Sequence, residues 1–141
     1  MTYMNLCKND DGDCIYVDQG ETKVSSFALY TSHVGSCSVL LFHHTKNHKN
    51  FMAHIDGFQT HSSIQQTISQ HFSKRELQER FKIYLIMGPW CIKNCDSVKI
   101  AKRVISNLDL QQKFVVLDQN QSKIDWTSNI WIDKDGYSID H

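Results

Sequence analysis

The sequence predicts an α+β fold, and three observations carry that reading. Runs rich in β-branched and aromatic residues recur along the chain, among them "FALY" (27–30), "CSVLLFH" (37–43), "NFMAHI" (50–55), "FKIYLIM" (81–87) and "KFVVL" (113–117), and such residues suit half-buried pleated surfaces. Between these runs, at 61–80 and after residue 96, the apolar spacing changes to that of a helix. The chain has 141 residues, 40% of them hydrophobic and 21% charged, with no Pro/Gly/Ser-rich linker. That balance fits one domain, 1–141, around one core.

In order, residues 1–23 mix charges with Asn and Gly and contain one strand candidate, "CIYV" (14–17), read as an edge strand or arm. The strands at 27–30, 37–43 and 50–55 follow. Within 61–80, Ile64, Ile68 and Phe72 lie four apart, and "SKRE" (73–76) is a capping-box pattern able to start a second helical segment. Strand 81–87 is stopped by "GPW", where the only proline fixes its φ and removes a donor. Asp96 is the expected N-cap of a helix reaching about Leu108, with Ser97, Ala101, Val104, Ile105 and Leu108 on one stripe. After 113–117, "NIWI" (129–132) and "YSI" flank "DKDG" (133–136), a hairpin in which Gly136 takes a left-handed conformation. The total is about seven strands and two or three helices.

Lysine plus arginine equals aspartate plus glutamate at fifteen each, so no global field draws the chain to nucleic acid or to an anionic membrane surface. The N-terminal "MTYMNLCKNDDGD" lacks a basic segment followed by an apolar one, and no apolar run nears the roughly 20 residues that span a bilayer. A cytoplasmic protein is expected, with export without a classical signal left open. Five cysteines, Cys7, Cys14, Cys37, Cys91 and Cys95, are an odd set in a chain able to build a core, which predicts free thiols in a reducing compartment.

The chemistry centres on "TSHVGSC" (31–37). A hairpin joining 37–43 to 50–55 through "HTKN" (44–47) would place His43 opposite His48, Leu40 opposite Phe51 and Cys37 opposite His54. Directly opposed side chains share a face with Cβ atoms roughly 4.5–5.5 Å apart. An unperturbed thiol is only a few per cent thiolate at neutral pH, so a neighbouring imidazole is the activator it needs. His54 fits that role. Its other nitrogen needs an orienting acceptor, for which Thr31 and Asp56 compete; Thr31 ranks first because "DG" (56–57) reads as a turn. Gly35 would bend the chain before the nucleophile and aim amides near Ser36 and Cys37 at a developing oxyanion.

The pattern Thr31-x3-Gly35-Ser36-Cys37, followed by His54, resembles the CheD family of chemoreceptor glutamine deamidases. The segment "HHTKNHKNFMAHIDG" (43–57) is also similar to the protein N-terminal asparagine amidohydrolases. The resemblance implies mainly antiparallel sheets in a sandwich-like core with flanking helices. It also implies that Cys37 is the nucleophile, His54 its base and Thr31 the third member of a triad. The implied reaction is hydrolysis of a glutamine or asparagine carboxamide on a protein through a thioester, releasing ammonia. No cofactor is implied.

Other features read more plainly. A metal site at His43, His44 and His48, or at Cys91 and Cys95 with Cys7 and Cys14, is the weaker reading of those residues, and no metal is expected. Trp90, Trp126 and Trp131 are expected in core or edge packing, with Trp90 beside Gly88-Pro89 also a candidate wall for a substrate pocket and Asp56 a second substrate contact. Ser36 is a poorer nucleophile than Cys37. The competing functional reading is a protein-binding module that keeps the fold without turnover.

Overall fold

A computed structural model describes residues 14–140. Nine strands form two sheets among these residues. The first runs β1 (Cys14–Tyr16), β3 (Ala28–Ser32), β8 (Asn129–Asp133), β9 (Gly136–Asp140); the second runs β2 (Thr22–Ser25), β5 (Lys49–Ile55), β4 (Ser38–His44), β6 (Ile83–Met87), β7 (Phe114–Leu117). Four α-helices accompany them: α1 (His61–His71), α2 (Lys74–Gln78), α3 (Asp96–Asn107) and α4 (Gln119–Ser122). The expected α+β class and paired-sheet core are observed. Only β1–β3 and β6–β7 are parallel pairs.

The five-stranded sheet is the middle of three layers, which explains why its central strand reads as an unbroken apolar run. In β4, Leu40 and Phe42 join Phe51, Ala53 and Ile55 under α1 and α3, whereas Val39 and Leu41 join Met52, Leu29, Ile130 and Ile132 between the sheets. Phe42 stacks on Phe51 at 4.7 Å between centroids and touches Phe72 and Phe81. Truncating a side chain so enclosed typically costs about 3–5 kcal/mol.

The β4–β5 register differs from expectation. The turn takes Thr45–His48, His44 pairs with Lys49, and Val39, not Cys37, lies opposite His54. Moving a four-residue turn by one position shifts the pairing by two residues, which keeps every side chain on its predicted face. Glu76 stabilises the longer ladder, since its carbonyl accepts from His44 Nε2 (3.0 Å) and its carboxylate pairs with Lys49 Nζ (3.1 Å). His48 closes the turn at φ 52°.

Three further differences are local. The helical stretch 61–80 breaks at Phe72, which is extended, and restarts at the Ser73–Glu76 capping box. The N-cap of α3 is Cys95, with Asp96 in the first turn. Cys91 and Cys95 form a disulfide, Cα–Cα 5.5 Å, and Cys14 is also disulfide-bonded. The expectation of free thiols therefore fails there: the turn before α3 brings the two Cα atoms within bonding reach. Cys37 is the free thiol among the described residues.

Candidate active site at one end of the sandwich

The ladder registers gather four connecting segments at one end. Ser38, which opens β4, is flanked by Ile55 closing β5 and by Met87 closing β6. Ser32, which closes β3, pairs with Asn129 opening β8. Segments 33–37, 56–60, 88–95 and 118–128 therefore leave the sheets together, around Cys37. Cys37 sits one residue before β4 and faces the space between the sheets with Val34, Val39 and Ile130. It shares a face with Val39 and lies diagonal to His54 instead of opposite it, because of the two-residue shift in register.

Thr31 and His54 meet across the two sheets. Thr31 Oγ1 donates its only proton to the Val17 carbonyl (2.7 Å), so its 2.7 Å contact with His54 Nδ1 makes that nitrogen the donor. The imidazole is thus fixed as the Nδ1–H tautomer, with its lone pair on Nε2. That Nε2 is buried and has no hydrogen-bond partner among the described residues. Burial of a neutral ring is electrostatically consistent, since desolvation lowers the His54 pKa, opposed by Asp18 and then Asp56. Burial likewise pushes the Cys37 thiol up, with Asp56 adding to the shift. Both directions favour the neutral forms, a thiol at Cys37 and an imidazole at His54, over a thiolate–imidazolium pair.

The loop before β4 is pinned through its carbonyls. Gly35 O accepts from Trp90 N (3.0 Å), Ser36 O from Ser97 Oγ (3.1 Å) and Cys37 O from Gly88 N (2.9 Å). In trans peptides each N–H points away from the preceding carbonyl, so the amides of Ser36, Cys37 and Ser38 are fixed on the side opposite these contacts. Gly35 is required for space and not for a left-handed bend; its positive-φ neighbour is His33, at 56°. A Cβ on Gly35 would stand 2.5 Å from Trp90 Cε3, and one on Gly88 would collide with the Gly35 and Cys37 carbonyl oxygens.

The model of one protein family, described as protein N-terminal asparagine amidohydrolase, matches residues 5–124. The chain belongs to that family. No curated protein matches it. Membership gives the chain an amidohydrolase kind of function with protein substrates, and none of its described helices is long and apolar enough to cross a membrane.

Around this centre the fold places the remaining candidates unevenly. Asp56 accepts from Phe58 N (3.0 Å) and Gln59 N (2.9 Å), which makes it a turn former, while its charge is felt at both Cys37 and His54. Trp90 is exposed and stacks on Trp126 at 5.3 Å and 12°; Trp126 is exposed too and packs at the edge, whereas Trp131 is fully buried against Tyr30. Two participants escaped the sequence reading. The Val17 carbonyl fixes Thr31, and the 18–21 turn clasps the His54 backbone through Gly20 N to His54 O (2.9 Å) and His54 N to Glu21 O (3.0 Å), bringing the Asp18 charge near the ring. "DQG" at 18–20 signals a turn but not what it folds onto.

Among the described residues no group of three or more His, Cys, Asp or Glu side chains is arranged to hold a metal. His43 Nδ1 instead meets Asn50 Oδ1 (2.6 Å), and Cys91 and Cys95 are bonded to each other.

Proposed function

We propose that the protein deamidates asparagine or glutamine side chains of proteins, with Cys37 as nucleophile, His54 as general base and Thr31 as the group that orients it. The observation that carries the reading is the fixed tautomer. Thr31 has spent its proton on Val17, so His54 keeps a lone pair on an otherwise unengaged Nε2 at the end of the sandwich that holds the free thiol.

With both groups neutral at rest, thiol deprotonation accompanies attack. His54 Nε2 takes the thiol proton as sulfur bonds to the carboxamide carbon, and the carbonyl electron pair moves onto oxygen. The oxyanion would be received by amides of Ser36 and Cys37, whose orientation follows from the pinned carbonyls at 35–37, with Gly35 allowing Trp90 to close against the loop. The imidazolium then protonates the amide nitrogen, ammonia leaves, and a thioester remains. Asp18 and Asp56 favour the transient imidazolium, the state burial resists. His54 next activates water, hydroxide adds to the thioester carbonyl, and the sulfur departs with a proton, leaving a carboxylate. Trp90 and Asp56, on segments that leave the sheets at this end, would meet the substrate there.

The test is incubation of wild type and Cys37→Ala with a cell proteome, followed by mass-spectrometric mapping of amide-to-acid conversion. Conversions made by wild type alone, with a covalent adduct on Cys37 after rapid acid quench, are the expected result. Conversions equal in both samples would remove the assignment.

A further inference from the structure

Five large apolar side chains are exposed among the described residues: Phe27, Phe58, Trp90, Ile92 and Trp126. Four belong to segments 56–60, 88–95 and 118–128, which the registers bring to the Cys37 end; Phe27, whose carbonyl accepts from Asn50 Nδ2, lies at the other. Apolar exposure concentrated on one face marks a contact surface, whereas scattered exposure needs no explanation.

The two indoles are also held in place. Trp90 is tied by its amide to Gly35 O, and its ring lies where a Gly35 Cβ would be. The preceding turn is held by Gln119 Nε2, which donates to the carbonyls of Gly88 (3.1 Å) and Pro89 (2.5 Å). Trp126 stacks on Trp90, touches His33 at 5.0 Å, and rides a loop closed by Thr127 N and Thr127 Oγ1 bonds to Asp125 Oδ1 (2.8 and 2.7 Å). Exposed rings fixed before a partner arrives lose little entropy on contact.

We propose that Trp90 and Trp126 form a substrate shelf that takes an aliphatic or aromatic residue flanking the target amide, making the preferred substrate an extended segment with a large apolar neighbour. The inference rests on the deamidase reading for what occupies the shelf. Continuity with the Cys37 loop supports that occupant: the Trp90 ring contacts Gly35, two residues from the thiol. Protein substrates, which the family implies, supply such a neighbour. The shelf therefore sets selectivity and binding, and the chemistry belongs to other residues.

The experiment uses two sets of synthetic peptides carrying Asn or Gln, one set with Leu or Phe beside the target and the other with Ser or Glu. Wild type should favour the apolar set by about tenfold in kcat/KM, the scale on which a hydrophobic pocket discriminates. Trp126→Ala should bring that ratio near one through KM, Trp126→Phe should restore most of it, and Phe27→Ala should leave it as in wild type. A ratio unchanged in Trp126→Ala would overturn the shelf. If neither wild type nor Cys37→Ala turns over any peptide, the deamidase reading fails separately, and peptide binding to Cys37→Ala followed by indole fluorescence decides the shelf: an apolar preference lost on Trp126→Ala supports it, and its absence overturns it. Sedimentation that shows a dimer dissolved by Trp126→Ala would also overturn it, by assigning the rings to a second copy of this chain.

Discussion

The two ends of the sandwich differ in what holds them and in the large apolar side chains they expose. At the β4–β5 turn the surface is laced with charge: Lys49 pairs with Glu76 (3.1 Å), Lys46 with Glu79 (3.2 Å), Asn47 bonds Glu76, and Lys49 Nζ donates to the His71 carbonyl (2.6 Å). At the Cys37 end the loops are held mainly through backbone carbonyls, and four of the five exposed large apolar side chains of the described residues stand there among polar ones. The first end closes the fold through ion pairs and charge-assisted bonds, with His44 Nδ1 the buried polar atom there that has no partner among the described residues. The second holds a buried polar pair with one nitrogen unspent, and leaves adhesive surface in water. Function should therefore respond to mutation at the Cys37 end, whereas mutation at the charged end should change stability alone.

The largest effects should come from the Cys37 end. Cys37→Ala and His54→Gln should each lower deamidation by roughly a thousandfold or more while the thermal midpoint of Cys37→Ala stays near wild type; residual turnover comparable to wild type would erase the contrast. Gly88→Ala drives a methyl group into the carbonyls that orient the loop, and should cost on the order of a hundredfold in kcat, the scale of one lost oxyanion donor. Thr31→Val leaves the His54 Nδ1–H without its acceptor inside the protein. Rate should fall by about ten- to a hundredfold, and chemical denaturation should show a loss of about 1–3 kcal/mol.

Acid titration separates the ends by pH window. As the proposed base, His54 would act when neutral, and its pKa is lowered from 6.5, so kcat/KM should hold at neutrality and fall only on the acid side of that value. Because the folded pKa is the lower one, the stability linked to His54 is complete above 6.5 and declines as pH drops below it. Glu76, held at about 2 by its backbone bond to Ser73 and by Asn47 and Lys49, contributes stability present above 4.5 and lost as pH falls toward 2. Alkylation of Cys37 should show its inflection above the ordinary thiol range, since burial raises it. The smallest effect belongs to Glu76→Ala, which removes a capping-box partner and should cost about 1 kcal/mol in a melting experiment with kcat unchanged.

Much of the architecture was written locally. Alternation and composition located eight of the nine strands, and "SKRE" announced the restart at Ser73. β2 escaped because "TKVS" has one apolar residue and is ordered by pairing with β5 at a sheet edge. The hairpin was read with the correct faces and a pairing two residues off, since nothing in "HHTKNHKN" says where a four-residue turn begins; Glu76, far along the chain, decides that. At the candidate site, Thr31, Cys37 and His54 could be singled out from residue type and spacing. The Val17 carbonyl, the Asp18 charge, the disulfide and the steric reason for Gly35 could not, because each depends on a segment distant in sequence folding onto the site.

Thr31 comes from one sheet, and His54 from the other. An assembly intermediate with either sheet formed alone would lack an aligned imidazole, however native its ladders. Turnover regained during refolding would then clock the moment at which the two β-layers dock, later than any signal reporting strand formation.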